Sequence, residues 1–435
     1  MNRLLRNTSW IMLNQIFNMV LSFFVGILTI KYLGPANYGS ITYISSYVAF
    51  FSAAATMGLD TVVVSRLVKE PERDGEIMAS AILLRSMFSL LCMACLCLVI
   101  AVVDRGDRSL LLIAFLSGFE IFFKAFGTIT FWYQWKLESR KTAIADMIAF
   151  TLASIYRIWL LATHKNVYWF ACYTSLIYLL AVLIYIPMFR RDCTTPLKPV
   201  RETCRELFRE CLPYMLSGVM ISMYTQIDRV MIKHMISKEA VGFYGAAVTV
   251  CNLIAFIPAS LSLSARPVLL RLREENDPGY DLRITQVLAA IVWLSLAYSV
   301  FITIAADRVI PLMFGEAYAP AGGVLRLMVW CTIVENLTRI RDLWLIGEKQ
   351  SRYVTVFSLT GTVLNILCNA ALIPLFGIYG AAAATVITQF AVMWLLPALF
   401  PQTRGFAVNL TNAVFLRGVR VKALMSEVFG RKEKS

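Results

Sequence analysis

What most constrains this chain is a rhythm in its sequence: long apolar stretches recur, each closed off by charged residues. From Asn7 to Ile30 alone there are 24 residues without a charge. A helix needs about twenty apolar residues to cross the hydrocarbon core of a bilayer, at about 1.5 Å of rise each. Stretches of this kind cover residues 9–30, 40–60, 78–103, 109–131, 142–163, 166–189, 211–236, 240–265, 284–306, 321–346, 353–374 and 378–400. Composition agrees where it decides something. Of 435 residues, 59% are apolar and only 16% charged, with a mean hydropathy of +0.68. Soluble domains of this total length would need far more charge to coat their surfaces. The expectation is an all-α polytopic membrane protein with twelve transmembrane helices. Secreted disulfide scaffolds, disordered chains and nucleic-acid-binding domains are excluded. The first stretch is longer than a signal-peptide core and ends without a small-x-small cleavage site, so it reads as a retained span.

The net charge of +14 would suit nucleic acid, so its placement decides. With the N-terminus placed in the cytoplasm, the inner gaps hold 27 Lys and Arg residues and the outer gaps hold 6. Such asymmetry over short loops is the positive-inside signal. Both termini are expected in the cytoplasm, with the basic excess facing anionic inner-leaflet lipid. No nucleic-acid partner is needed to account for it.

The longest inner gap, Arg190 to Glu210, contains Pro196 and Pro199 and falls between the sixth and seventh stretches. It divides the chain into an N-terminal lobe, 1–195, and a C-terminal lobe, 196–404, each of six helices. A basic cytoplasmic tail, 405–435, follows. The tail mixes apolar and basic residues and reads as either an interfacial helix or a loosely ordered segment. The lobes echo each other: Tyr38-Gly39 after the first stretch matches Tyr244-Gly245 after the seventh. Six is even, so both lobes start on the same side, which gives a parallel pseudo-repeat. Ten cysteines lie mostly inside apolar stretches without framework spacing. With two histidines in the chain, Cys92, Cys95 and Cys97 read as small hydrophobes, not metal ligands. Nothing calls for a cofactor.

Several motifs resemble the polysaccharide-exporting branch of the MOP superfamily, the Wzx-type flippases. Tyr32-Leu33-Gly34-Pro35 with Tyr38-Gly39 is similar to that family's first-loop signature. Gln226-Ile227-Asp228-Arg229-Val230-Met231-Ile232 followed by Val241-Gly242-Phe243-Tyr244-Gly245 resembles its seventh-span signature. Phe314-Gly315-Glu316-Ala317-Tyr318, Gly347-Glu348-Lys349-Gln350 and Leu372-Ile373-Pro374-Leu375-Phe376-Gly377-Ile378-Tyr379-Gly380 follow in the family's order. Lys233 departs from the pattern, standing where such sequences more often carry Gly. Glycine and proline at helix ends also serve tight turns, and the motifs therefore specify fold more than substrate contact.

The resemblance implies a flippase that moves an undecaprenyl-pyrophosphate-linked oligosaccharide, such as an O-antigen or exopolysaccharide repeat unit, by alternating access. It implies a bacterial cytoplasmic (inner) membrane, surrounding membrane lipid, and other polysaccharide-assembly proteins as partners. A multidrug/cation antiporter or a lipid II flippase of the same superfamily is the alternative. An enzyme is not expected: the outer loops are short, and neither an Asp-x-Asp metal motif nor a P-loop is present.

Function must rest on a site, and charges inside apolar stretches are expensive enough to need a reason. Eight basic and four acidic residues stand out, an excess of +4: Arg85, Glu120, Lys124, Arg157, Asp228, Arg229, Lys233, Arg326, Glu335, Arg339, Arg341 and Asp342. Glu120/Lys124 and Glu335/Arg339 are each at i,i+4 and read either as self-neutralising pairs or as ligand contacts. Lys233, Arg326, Arg341 and Asp342 lie near helix ends, where snorkelling is expected. Arg85 and Arg157 have no acid one turn away. A guanidinium fork fits a phosphate, although an inter-helical pair with Asp60 or Asp146 is the alternative. Arg85, Arg157, Lys124 and Arg339 are thus the candidate pyrophosphate-binding residues. Glu120, Asp228, Arg229 and Glu335 are the candidates for ion coupling or gating.

Overall fold

A computed structural model describes residues 3–417, and all regular structure among them is helical. Helix covers every stretch expected to span. By internal packing the chain forms two compact units, Met1–Val230 and Met231–Ser435. The sequence boundary expected at 195/196 falls inside the first.

The first unit contains α1 (Arg3–Thr56), α2 (Leu59–Lys69), α3 (Asp74–Val103), α4 (Arg108–Lys124), α5 (Ile129–Trp135), α6 (Ser139–Ala162), α7 (Val167–Asp192) and most of α8 (Arg201–Met235). The apolar part of α1, Ser9–Thr56, has 48 residues. At about 1.5 Å per residue it is more than twice the thickness of a bilayer core. It serves as two spans because Gly34 breaks it, at φ 70 and ψ 169, with Pro35 next. Glycine tolerates that left-handed φ, and proline starts the following helix without wasting an N–H.

One core of this unit lies where short helices meet the linker. Leu59, Val63 and Leu67 of α2, Ile77 and Met78 of α3, and Trp132 and Tyr133 of α5 bury against Leu207 and Cys211 of α8. Gly58 makes the approach of α8 feasible, since a Cβ there would lie 2.2 Å from Tyr214 Cβ. The non-helical linker 193–200 is bonded down along its length. The Gly75 amide donates to Thr195 Oγ1 (2.8 Å), and the Val200 amide donates to Ser80 Oγ (3.0 Å). Asp74 accepts from the Thr195 hydroxyl and from Trp132 Nε1 (2.9 Å). Beyond the linker, Arg66 of α2 pairs with Glu206 (2.7 Å) and Glu210 of α8. The Arg66 hydrogen bond holds the Glu210 carboxyl below the usual glutamate range.

The second unit continues through α9 (Lys238–Cys251), α10 (Phe256–Glu274), α11 (Tyr280–Phe314), α12 (Ala321–Met328), α13 (Cys331–Gly347), α14 (Arg352–Phe376), α15 (Ile378–Phe390), α16 (Leu396–Leu399) and α17 (Arg404–Val414). Its core joins Ile284, Leu288 and Val292 of α11 to Leu337, Ile340 and Trp344 of α13, with Phe357 of α14. The segment expected to be a tail begins with α17, and Phe406, Leu410 and Ala413 of that helix belong to the same core. Asn409 Nδ2 donates to Asp281 Oδ1 (2.9 Å), tying α17 to α11. The rest of the expected tail, 418–435, lies outside the described residues.

Among the described residues, eight helices are long and apolar enough to cross a membrane, or nine when the pair Lys238–Ile254 and Phe256–Glu274, bent by 44°, counts as one span. The difference from twelve has physical causes. The kinked α1 counts once, α8 carries charge at both ends, and α12 and α13 are separated at 329–330 and rich in charge. This is a multi-pass membrane protein.

Candidate functional site

The first unit gathers polar side chains from five of its helices. Arg85, eleven residues into α3, is buried at 6% exposure. Its Nη1 donates to Thr128 Oγ1 (3.1 Å), and its Nη2 lies 3.5 Å from Thr56 Oγ1. Thr128 comes within reach because the chain between α4 and α5 tightens into a 3-10 turn, Ala125–Thr128. No carboxylate lies within ion-pair distance of Arg85 among the described residues. Asp60, on the first turn of α2, acts on it only through the longer-range field.

Lys124, the last residue of α4, pairs with Glu120 Oε1 at 3.1 Å. Its Nζ lies 5.0 Å from the centre of the Tyr178 ring on α7. Tyr178 is within electrostatic reach of Arg85 as well. Arg157 keeps other company. Its guanidinium sits 4.3 Å from the centre of the Tyr173 ring, and its buried Nε has no hydrogen-bond partner among the described residues.

Asp228 is buried near the end of α8, and Arg229 Nη1 donates to Gln226 Oε1 one turn back. Glu335 and Arg339 belong to α13 of the second unit and are both exposed. They do not close the local ion pair that their spacing suggested, because Arg339 turns instead into a cleft beside α10. Arg341, expected to snorkel, is buried: it pairs with Asp342 (2.8 Å) and lies 5.6 Å from the centre of the Phe357 ring. Arg326 pairs with Asp307.

Sequence reasoning missed one group. Asp146 on α6 is not an arginine's partner: it accepts from the Tyr185 hydroxyl of α7 and from Asn14 Nδ2 of α1 (3.2 Å). Asn18 Nδ2 donates to Asn14 Oδ1 (3.0 Å), while Asn18 Oδ1 is buried without a partner among the described residues. A carboxylate held by neutral donors, next to an unused carbonyl oxygen, can take a proton or a small hard cation. The signal available was Asn14 and Asn18 at i,i+4 in the first span, facing the same way as each other. Asp146, and Asp60 at the end of the second stretch, also belong in the count of in-span charges. Eight basic residues then face six acidic ones, and the excess falls from +4 to +2.

A family model described as polysaccharide biosynthesis protein matches residues 4–272, more than half of the chain. The chain belongs to that family. A second model, MatE, matches 213–371. A probable flippase, AglR of Haloferax volcanii, is 23% identical over 199 residues, 44% of this chain and 41% of that protein. A probable low-salt glycan biosynthesis flippase of the same organism, Agl15, is 24% identical over 209 residues, 46% of this chain and 43% of its own. The matched region thus spans less than half the length of these relatives. Among solved structures, the lipid II flippase MurJ in an inward closed conformation superposes with a TM-score of 0.70 at 14% identity, covering 97% of this chain and 93% of MurJ. At that identity the likeness speaks of fold. This polysaccharide biosynthesis family member shares its fold with MurJ.

Proposed function

We propose that this family member is a flippase for a lipid-linked oligosaccharide, moving an undecaprenyl-pyrophosphate-linked repeat unit from the inner to the outer leaflet of the bacterial cytoplasmic membrane by alternating access. The observation that carries the reading is Arg85: a buried guanidinium whose partners among the described residues are threonine hydroxyls. A cation kept in an apolar span without a counter-ion waits for an anion from outside, and a phosphoryl group matches its fork. AglR, a probable flippase, supports the activity, and Agl15, a probable glycan biosynthesis flippase, supports a glycan cargo. Arg157, with its buried unpartnered Nε, takes part on the same grounds. Asp146 joins Glu120, Asp228 and Glu335 as a coupling carboxylate, and is the one whose surroundings best suit reversible charge. Both termini face the cytoplasm in this reading. Enzymes that assemble the glycan on its carrier act before this step, and those that consume it act after.

In cells whose surface polysaccharide depends on this chain, Arg85→Ala and Lys124→Ala should each abolish the polysaccharide while the protein stays in the membrane at its normal level. Full surface polysaccharide in both variants would overturn the proposed headgroup site. The multidrug/cation antiporter would instead show itself as drug efflux that tolerates loss of Arg85.

A further inference from the structure

The second unit holds a cleft of about 270 Å³ between α10 and α13. Ala259, Leu263 and Arg266 enter it from α10, and Arg339, Leu343 and Ile346 enter it from α13. Each set follows i, i+4, i+7, so each helix turns one continuous stripe into the cleft. The polar groups on the same walls are already committed. The Ser262 hydroxyl donates to Pro258 O (2.8 Å), and Asp342 accepts from Arg341 (2.8 Å). Arg266 and Arg339 remain, exposed, and neither has a hydrogen bond or ion pair among the described residues.

We infer that this cleft is a second phosphoryl-anion site, built by Arg266 and Arg339, that takes the diphosphate of a lipid carrier. The identity of the carrier rests on the reading above; the anion site does not. Three features support a diphosphate. Counting Arg341 with Asp342, the walls keep a net charge of +2, and each linked phosphoryl group brings a negative charge. The apolar residues between the arginines lower the local dielectric and strengthen both contacts. Arg266 closes its stripe and Arg339 opens its own, and seven residues of helix span about 10 Å. The two forks stand on facing walls, and each can serve one phosphoryl group. The volume lies just below the roughly 300–1,000 Å³ of sites for drug-sized ligands. It admits a headgroup and excludes an oligosaccharide.

The test uses inorganic pyrophosphate and the purified full-length protein in nanodiscs, with binding measured by calorimetry. Wild type should bind at two sites. R266Q/R339Q should remove one of them, R85Q/K124Q the other, and R339K should weaken its site at least fivefold because charge survives but the fork is lost. D342N, which removes a negative wall, should tighten binding about threefold; a residue with a purely structural role would not produce that gain. Unchanged binding in both R266Q/R339Q and R339K would overturn the inference. Loss of binding in R266Q/R339Q with no effect of R85Q/K124Q would keep this cleft and remove the headgroup site proposed in the first unit. Persistence of pyrophosphate binding in phosphatidylglycerol nanodiscs supports a diphosphate ester. Its loss there would assign the cleft to phospholipid headgroups and overturn the diphosphate.

Discussion

Arg85 and Asp146 carry opposite charges within one unit, yet each is held by neutral partners and not by the other. Thr128 and Thr56 hold the guanidinium, and Asn14 and Tyr185 hold the carboxylate. Burying a charge without its counter-ion costs several kcal/mol, more than neutral hydrogen bonds restore. Such a charge persists where it does something the fold alone does not need. Asp146→Asn keeps the shape and can still bond Tyr185 and Asn14, so the protein should accumulate normally. Transport should fall at least tenfold, and what remains should no longer respond to an imposed pH or sodium gradient in proteoliposomes. Gradient-driven transport at the wild-type rate would remove Asp146 from the mechanism. Arg85 and Lys124 were legible in the sequence because a charge interrupts an apolar run. The Asp146 cluster was not: its members come from α1, α6 and α7, and only tertiary packing makes them neighbours.

At the scale of elements, apolar length predicts where helices lie but says little about where they break. The Gly34-Pro35 pair was visible, and it does divide α1. The short helices α2 and α5 were hidden at the ends of longer stretches because hydropathy does not register a change of direction. Likewise α17 has the composition of a tail, and only its packing against Trp344 shows that its apolar face is covered. The contact of α2 with α8 carries a pH signature. Arg66 depresses the Glu210 carboxyl, so the folded state binds that proton less readily than the unfolded chain. The pair therefore stabilises above the ordinary glutamate value, near ~4.3, and the contribution fades as pH falls through the lower folded value. Glu206 and Glu210 are about half exposed, which keeps the effect small. Melting curves from pH 7 to 3 should show wild type losing more stability than Arg66→Gln, with the two converging at the acid end. Parallel curves would mean the pair contributes nothing.

For the whole molecule, the second unit is complete only with α17 in place. Removing the Phe406 ring from that core should cost about 3 kcal/mol or more, as for large-to-small changes in packed interiors. Phe406→Ala should therefore lower the melting temperature in mild detergent, and a chain ending at 403 should accumulate poorly. An unaltered melt for Phe406→Ala would show the helix to be an ornament on the unit.

The bonded linker bears on how the protein can be taken apart. A non-helical, proline-bearing segment such as 193–200 is ordinarily a place to nick with protease or to divide the gene. Here residues 195 and 200 are fastened to Gly75 and Ser80, and Thr195 also satisfies Asp74. A protease should find little slack chain there. Halves coexpressed as 1–195 and 196–435 would start life with the second fragment's leading end belonging to the first fragment's fold. Reassembly would then depend on that end finding its seat on α3, so the Pro-bearing segment works as a fastening and not as a tether.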